Sequence, residues 1–186
     1  MVKLGVTDSE IFVEPSYDPD AVYAHALNGD VESGGVGVTL YDNVYHGYSP
    51  AGKNTVNIMV LQGYGPWERY ERDYRAGNKA DYRKEKERMA EILIRKAEKA
   101  LLPGLLKAIE VKEIGTPLTN ARYTGHHQGA IYGWNQTVNN SGSTRVGHST
   151  PIKNLFLAGA WSRPGHGYGA VIPSGLECFA EITRGW

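Results

Sequence analysis

Short stretches of alternating or clustered hydrophobic residues dominate the first 61 positions, and this pattern is typical of β-strands. Strands are predicted at residues 2–6, 10–14, 36–41 and 55–61. In the last of these, two valines and an isoleucine alternate onto one face, as in a half-buried strand. The intervening residues 15–21 hold two prolines and two aspartates, which predicts a loop or a loop leading into a short helix.

A helical pattern with many charged residues begins near residue 79 and ends near 102. Its apolar positions recur at helical spacing, and the charged positions between them face water. Glu91 and Arg95 form an ion pair in the favourable order, and Pro103-Gly104 ends the helix. The apolar stripe consists of Tyr82, Met89, Ile92, Leu93, Ala97, Ala100 and Leu101. Residues 105–114 fit either a short helix or a strand.

The last thirty residues predict a buried strand, a glycine-rich turn and a helix. The strand is Leu155–Ala158, and the turn contains Gly159, Gly165, Gly167 and Gly169. The helix follows, with Pro173 acceptable only in its first turn. Such a unit can cradle an anion or a cofactor, because the first helix amides lack partners and the helix dipole places positive charge there. The same glycines also suit a simple tight turn.

Composition and charge narrow the function classes. The chain of 186 residues fits one domain or two small ones. Twenty acidic and twenty basic residues balance, so charge gives no support for nucleic-acid binding. No apolar run is long enough to span a membrane. The single cysteine, Cys178, lies in the apolar C-terminal helix and is interpreted as a packing residue in a reducing compartment.

The chain lacks the motifs of several catalytic classes. Six histidines are present, but His126 and His127 are adjacent and no H-x-x-x-H or C-x-x-C spacing occurs, so no metal site is expected. Ser174 lies in a predicted helix rather than in a G-x-S-x-G turn. His148 and His166 are interpreted as polar loop groups, with His166 a candidate to line the cradle. The residues alone identify no catalytic group.

Three segments resemble the C-terminal part of one flavoprotein group. They are residues 116–125 (TPLTNARYTG), 129–133 (GAIYG) and 150–175, which includes TPIKNLFLAGAW and GHGYGAVIPSG. This pattern is similar to phytoene desaturase, carotenoid isomerase and retinol saturase-like oxidoreductases of the amine-oxidase type. The likeness covers essentially the whole chain and is strongest over 116–182.

The resemblance implies an FAD site at the end of the chain. Gly159, Ala160 and Trp161 would lie along the ribityl and pyrophosphate groups. The helix N-terminus would point at the flavin ring, through Gly167, Tyr168, Gly169, Ala170 and Val171. Many relatives carry an acidic residue after the Ala-Gly of the terminal strand, whereas Ala160 and Trp161 stand there in this chain.

The resemblance also implies that an N-terminal FAD-binding half is missing, because no G-x-G-x-x-G turn replaces it near residues 1–60. We therefore expect the partners to be that half, in the same or a separate chain, and a small apolar substrate such as a polyene. Alone, the chain should retain little or no FAD and be inactive. A homodimer formed by strand addition, a cytoplasmic location and peripheral membrane contact are compatible with these expectations.

Two alternatives remain open from the sequence. The leading hypothesis is the C-terminal portion of an FAD-dependent oxidoreductase that desaturates, saturates or isomerises a polyene. The first alternative is a non-catalytic binding or assembly module derived from such a flavoprotein, and the second is part of a flavin-dependent amine oxidase. In each case the predicted fold is α+β or α/β, with a mixed, largely antiparallel sheet and a long helix. The terminal strand, loop and helix would complete a Rossmann-like FAD-binding domain. Residues 1–135 are assigned to the substrate-domain part and 136–186 to the FAD-binding part.

Overall fold

The computed structural model describes residues 4–184 and shows an α+β fold. The chain divides into two compact units between residues 119 and 120. Its strands are β1 (Glu10–Val13), β2 (Val36–Thr39) and β3 (Asn57–Met59). Its α-helices are α1 (Pro19–Asn28), α2 (Gly65–Arg75), α3 (Ala80–Ala100), α4 (Leu105–Ala108), α5 (Pro117–Thr124) and α6 (Tyr168–Thr183).

The three strands form an antiparallel sheet in the order β1-β2-β3. On one face Ile11 lies opposite Val38, which lies opposite Ile58. These apolar residues pack with α3 through Ala97, which has no exposed surface. The strands predicted at 10–14, 36–41 and 55–61 are therefore confirmed, although each is shorter than predicted, and the predicted long helix is confirmed as well.

A second apolar cluster in the same unit surrounds Trp67 of α2, which is 2% exposed. Its indole N–H donates to Gln62 Oε1 at 2.9 Å, so its one polar atom is satisfied. Tyr82 of α3 meets this tryptophan edge-on, with ring centroids 6.0 Å apart. The stripe predicted on α3 thus packs against α2 as well as against the sheet, except for Ala100, which is exposed.

Two N-terminal features differ from the sequence prediction. Residues 4–6 of the strand predicted at 2–6 form a turn and irregular chain, and residues 2 and 3 lie outside the described part. Residues 105–114 form the short helix α4 followed by irregular chain. Helix α2 was not predicted.

The predicted terminal strand at 155–158 is wrong. In its place, Phe156 makes one isolated antiparallel bridge with Ser149, and the Leu157 amide donates to the His148 carbonyl at 2.7 Å. A buried strand needs hydrogen-bonded neighbours on its edges, and this unit has no sheet among its described residues. Helix α6 also begins early enough that Pro173 lies in its second turn rather than its first.

No α-helix within residues 4–184 is long and apolar enough to cross a membrane. Cys178 is 7% exposed in α6, which agrees with its interpretation as a packing residue.

Candidate functional site

The loop of residues 159–167 lies directly before α6 and holds or adjoins all of the predicted cofactor-binding residues. Gly159, Ala160 and Trp161 form its first bend, which is closed by a hydrogen bond from the Ser162 amide to the Gly159 carbonyl (3.1 Å). Gly167 is the N-cap of α6, with φ of +81°. The remaining four, Tyr168, Gly169, Ala170 and Val171, form the first turn of the helix.

The N-terminus of α6 has no side-chain cap. The amides of Ala170 and Val171 both donate to the Gly167 carbonyl, at 3.0 and 2.9 Å. The amides of Tyr168 and Gly169 make no hydrogen bond within the described chain, as expected for the first residues of a helix. The exposed end of the helix therefore offers two donors and the positive end of its dipole.

Aromatic residues from segment 126–134 pack against this loop. The Trp134 and Trp161 rings meet edge-on with centroids 4.9 Å apart, and His126 meets Trp161 edge-on at 5.3 Å. Tyr132 stacks on His166 at 4.4 Å, with 23° between the ring planes. Trp134 remains 53% exposed and Tyr132 44% exposed, so these rings also present aromatic surface to the outside.

The backbone of segment 126–134 lies so close to the 159–167 loop that position 133 must be glycine. A Cβ atom on Gly133 would lie 2.2 Å from the Ala160 carbonyl oxygen, well inside van der Waals contact. Its φ of +79° is also one that residues with side chains rarely adopt. Gly133 thus permits the aromatic segment to lie directly on the loop.

Arg145 is buried beneath the loop and is only 4% exposed. Its Nη2 donates to the Ala160 carbonyl at 2.6 Å and its Nε to the Ser162 carbonyl at 3.1 Å. Its Nη1 has no hydrogen-bond partner, and no carboxylate of residues 4–184 forms an ion pair with it. A guanidinium is always protonated, so a positive charge without a countercharge lies under the loop.

Two buried serines fasten the loop to α6. The Gly159 amide donates to Ser174 Oγ at 2.9 Å, and the Ser162 and Ser174 hydroxyls lie 3.1 Å apart. Both side chains are completely buried. The predicted position of Ser174 within a helix is confirmed, and its hydroxyl is used to hold the loop.

A second set of polar contacts ties α6 to residues 148–163. His148 is completely buried, with Nδ1 2.8 Å from the Leu157 carbonyl and Nε2 3.2 Å from Glu177. His148 is therefore a polar group in a loop, as predicted, and its imidazole is buried. Glu181 accepts hydrogen bonds from Ser149 Oγ (2.9 Å) and Arg163 Nη2 (2.7 Å), and these hold the pKa of Glu181 below its ordinary value.

The arrangement brings amide donors, a buried cation and aromatic surface together around the 159–167 loop. It suits a ligand with acceptor or anionic groups and a planar or apolar part. No cluster of three or more histidine, cysteine or acidic side chains placed to hold a metal occurs among residues 4–184. Arg145, Ser162 and His148 were missed as site residues because each depends on at least one partner nine or more positions away along the chain.

Comparison with known proteins gives the site a family context. No protein-family model matches the chain. It is 30% identical to prolycopene isomerase of Arabidopsis thaliana over 136 residues, and 28% identical to prolycopene isomerase of Daucus carota over 156 residues. It is 24% identical to all-trans-retinol 13,14-reductase of Danio rerio over 168 residues. The chain is a relative of the carotenoid isomerase and retinol saturase-like proteins.

The matches to carotenoid isomerase and retinol saturase-like proteins cover 73%, 84% and 84% of this chain, in the same order. They cover only 22%, 24% and 27% of the relatives themselves, so the chain spans about a quarter of their length. The resemblance seen in the sequence is confirmed at the level of the family. The part of the relatives to which the chain corresponds stays a prediction.

Proposed function

We propose that this chain forms the cofactor-closing and substrate-facing part of an FAD-dependent oxidoreductase or isomerase that acts on a polyene. It would work with an N-terminal FAD-binding half, in the same polypeptide or a separate one. The observation that carries the proposal is the packing of the aromatic segment 126–134 on the glycine-rich loop, in a chain related to polyene-acting enzymes.

The residues present fit a flavin dinucleotide on three counts. The amides of Tyr168 and Gly169 are available to acceptor atoms of a ligand. The Arg145 guanidinium places an uncompensated positive charge beneath the loop, which favours a ligand bearing phosphates. The exposed rings of Tyr132 and Trp134 suit a planar or conjugated ligand.

When bound, FAD would supply hydride chemistry. The contribution of this chain would be to orient the ligands and to exclude water. The N-terminus of α6 favours negative charge at the groups that lie against it. The exposed aromatic rings would form part of an apolar wall for the substrate, and no proton-transferring residue is assigned.

Reconstitution tests the proposal. The chain would be coexpressed with the G-x-G-x-x-G-containing half of a polypeptide from this family, and the purified pair assayed for flavin absorbance. Prolycopene and all-trans-retinol, the compounds in the relatives' names, would be the first substrates. We expect FAD at near one equivalent in the pair, little in either part alone, and conversion of one of the two polyenes.

Two variants test whether the aromatic contact with the loop contributes to flavin retention and turnover. Trp134→Ala removes a ring that packs on Trp161 and should lower flavin retention or turnover by the pair. Tyr123→Ala removes a ring that is 76% exposed and lies outside the contact with the loop, so it should change neither. A pair that forms a stable complex yet holds no flavin and converts no polyene would refute the proposal in favour of a non-catalytic module.

A further inference from the structure

We infer that Arg145 is a positioning residue that shapes the 159–167 loop to receive a phosphoryl oxyanion. This inference rests on the proposed function, because it takes that loop to be the cofactor-binding segment. The local sequence does not indicate this positioning role. Arg145 lies in a polar stretch of glycines, serines and asparagines, which is typical of a surface loop. The argument comes from its burial, its hydrogen bonds and its missing countercharge.

Burial makes the unpaired charge of Arg145 unusual. Buried charged groups are nearly always paired, because removing an ion from water costs several kcal/mol. Here two backbone carbonyls satisfy Nη2 and Nε, while Nη1 has no partner. Residues 4–184 provide no ion pair for this guanidinium. Such a group is consistent with a site whose negative charge arrives with a ligand.

The hydrogen bonds of Arg145 set the direction of the peptide between Ala160 and Trp161. This peptide is trans, so its N–H and its C=O point in opposite directions. Because Arg145 draws the Ala160 carbonyl inward, the Trp161 amide N–H is turned away from the guanidinium. That amide has no hydrogen-bond partner within the described chain, and it is therefore free to donate to a ligand.

Two sources of positive charge, the Arg145 guanidinium and the N-terminus of α6, lie next to the 159–167 loop. Gly165 lies beside Arg145, since a Cβ atom at Gly165 would be 3.9 Å from Nε. Two residues further on, α6 begins with its uncapped N-terminus. A guanidinium, a helix dipole and outward amides together favour an oxyanion over a neutral acceptor. Phosphoryl oxygens are therefore the expected class, from a dinucleotide or from free phosphate compounds.

Nuclear magnetic resonance of the ¹⁵N-labelled chain tests this role directly. Inorganic pyrophosphate, FAD and riboflavin would be titrated separately into the protein. The signals followed are the Trp161 backbone amide, the Arg145 Nε–H and the indole N–H groups. We expect pyrophosphate at millimolar concentrations to shift the Trp161 amide and the Arg145 Nε–H. Riboflavin, which lacks phosphate, should affect only the indole signals, whereas FAD should affect both sets.

Three variants separate positioning from general stability. Arg145→Met should weaken pyrophosphate binding at least about tenfold, because it removes both the positive charge under the loop and the hydrogen bond that orients the Ala160–Trp161 peptide. Arg145→Lys keeps the charge but lacks the two-pronged donor geometry, so it should move the Trp161 amide signal and restore binding only partly. Arg184→Met, at the exposed C-terminal end of α6, makes the same charge change and should leave binding unchanged.

Each result decides one of the two proposals. If pyrophosphate leaves the Trp161 amide and Arg145 Nε–H unmoved while FAD shifts the indole signals, the role of Arg145 is refuted and the FAD proposal stands. If pyrophosphate binds through Arg145 but the coexpressed pair of halves forms a stable complex and holds no flavin, the oxyanion site stands and the FAD proposal fails. Should Arg145→Met not fold, unchanged pyrophosphate affinity in Arg145→Lys would still refute the positioning role.

Discussion

At the scale of single residues, Gly133 decides whether the aromatic segment can lie on the loop. Gly133→Ala would bring a methyl group to 2.2 Å from the Ala160 carbonyl oxygen, in addition to the strain of a positive φ. Gly125→Ala is the matched control, because Gly125 has a similar φ of +70° and no atom within 4 Å of its Cβ position. Gly125→Ala should cost roughly 1–2 kcal/mol, and Gly133→Ala distinctly more.

Urea unfolding of the two glycine variants measures this difference. Near-ultraviolet circular dichroism should also change in Gly133→Ala and stay native in Gly125→Ala, since the Trp134–Trp161 contact depends on the close approach. Equal losses of stability in the two variants would mean that the backbone contact at Ala160 is unimportant.

Residues differ in how far their roles can be predicted from sequence. Cys178 was predictable, because its apolar neighbours follow a helical period. Arg145 and His148 were not, because each binds carbonyl groups that fold back from residues 157–162. A side-chain contact between residues that are distant in sequence produces no periodic pattern of apolar and polar positions. The eight residues predicted to bind a cofactor came from family resemblance and remain a prediction.

At the scale of elements, α3 was the most predictable because its stripe spans more than five turns of helix. Helix α2 was missed although Trp67, Tyr70 and Tyr74 recur at helical spacing and Pro66 lies in its first turn. Tyrosine is only partly apolar, so an apolar stripe made largely of tyrosines is difficult to recognise in the sequence. The strand predicted at 155–158 was wrong for another reason. An apolar run indicates burial, but a strand also needs an adjacent strand with which its backbone can form hydrogen bonds.

Close packing between α3 and the sheet gives a test at Ala97. This residue has no exposed surface and contacts the cluster of β2 residues. Ala97→Leu should destabilise the protein by about 1–3 kcal/mol, because a well-packed core resists added methyl groups. Ala100→Leu, on the exposed end of the same helix, should change the free energy of unfolding little. A neutral Ala97→Leu in chemical denaturation would contradict this packing.

The contacts of Glu181 should make the attachment of α6 sensitive to acid. Its pKa is lowered in the folded state by Ser149 and Arg163, so its stabilising contribution is present above the ordinary glutamate pKa. That contribution is lost as the pH falls through the lowered value. Glu181→Gln should therefore have a lower Tm than the wild type at pH 7, and this difference should shrink at acidic pH.

Thermal unfolding at several pH values checks the role of Glu181. Glu91→Gln is a suitable control, since Glu91 forms an exposed ion pair with Arg95 on α3, and such pairs contribute little. A Tm difference for Glu181→Gln that stays constant from neutral to acidic pH would contradict the assignment.

At the scale of the whole molecule, one face of α6 differs from an ordinary protein surface because it exposes several large apolar side chains. Ile172, Leu176 and Phe179 lie on this face and are 64%, 68% and 66% exposed. Contiguous exposed apolar residues bind polarity-sensitive dyes. The double variant Ile172→Lys/Phe179→Lys should lower binding of anilinonaphthalene sulfonate while leaving the free energy of unfolding nearly unchanged.

A single exposed residue provides the control for the dye measurement. Val111 is 84% exposed in the other unit, and Val111→Lys should not reduce dye fluorescence. Undiminished dye binding in the α6 double variant would show that this face is covered in solution.

The placement of the tryptophans has a practical consequence. Trp67 is sealed in the core of the first unit, whereas Trp134 and Trp161 touch each other in the second and keep partial access to water. A buried indole emits at shorter wavelength than a hydrated one and resists collisional quenchers. With Trp186, which lies outside the described residues, replaced by phenylalanine, blue and red emission would report on the two units separately. One denaturation experiment would then reveal whether they melt together or in succession.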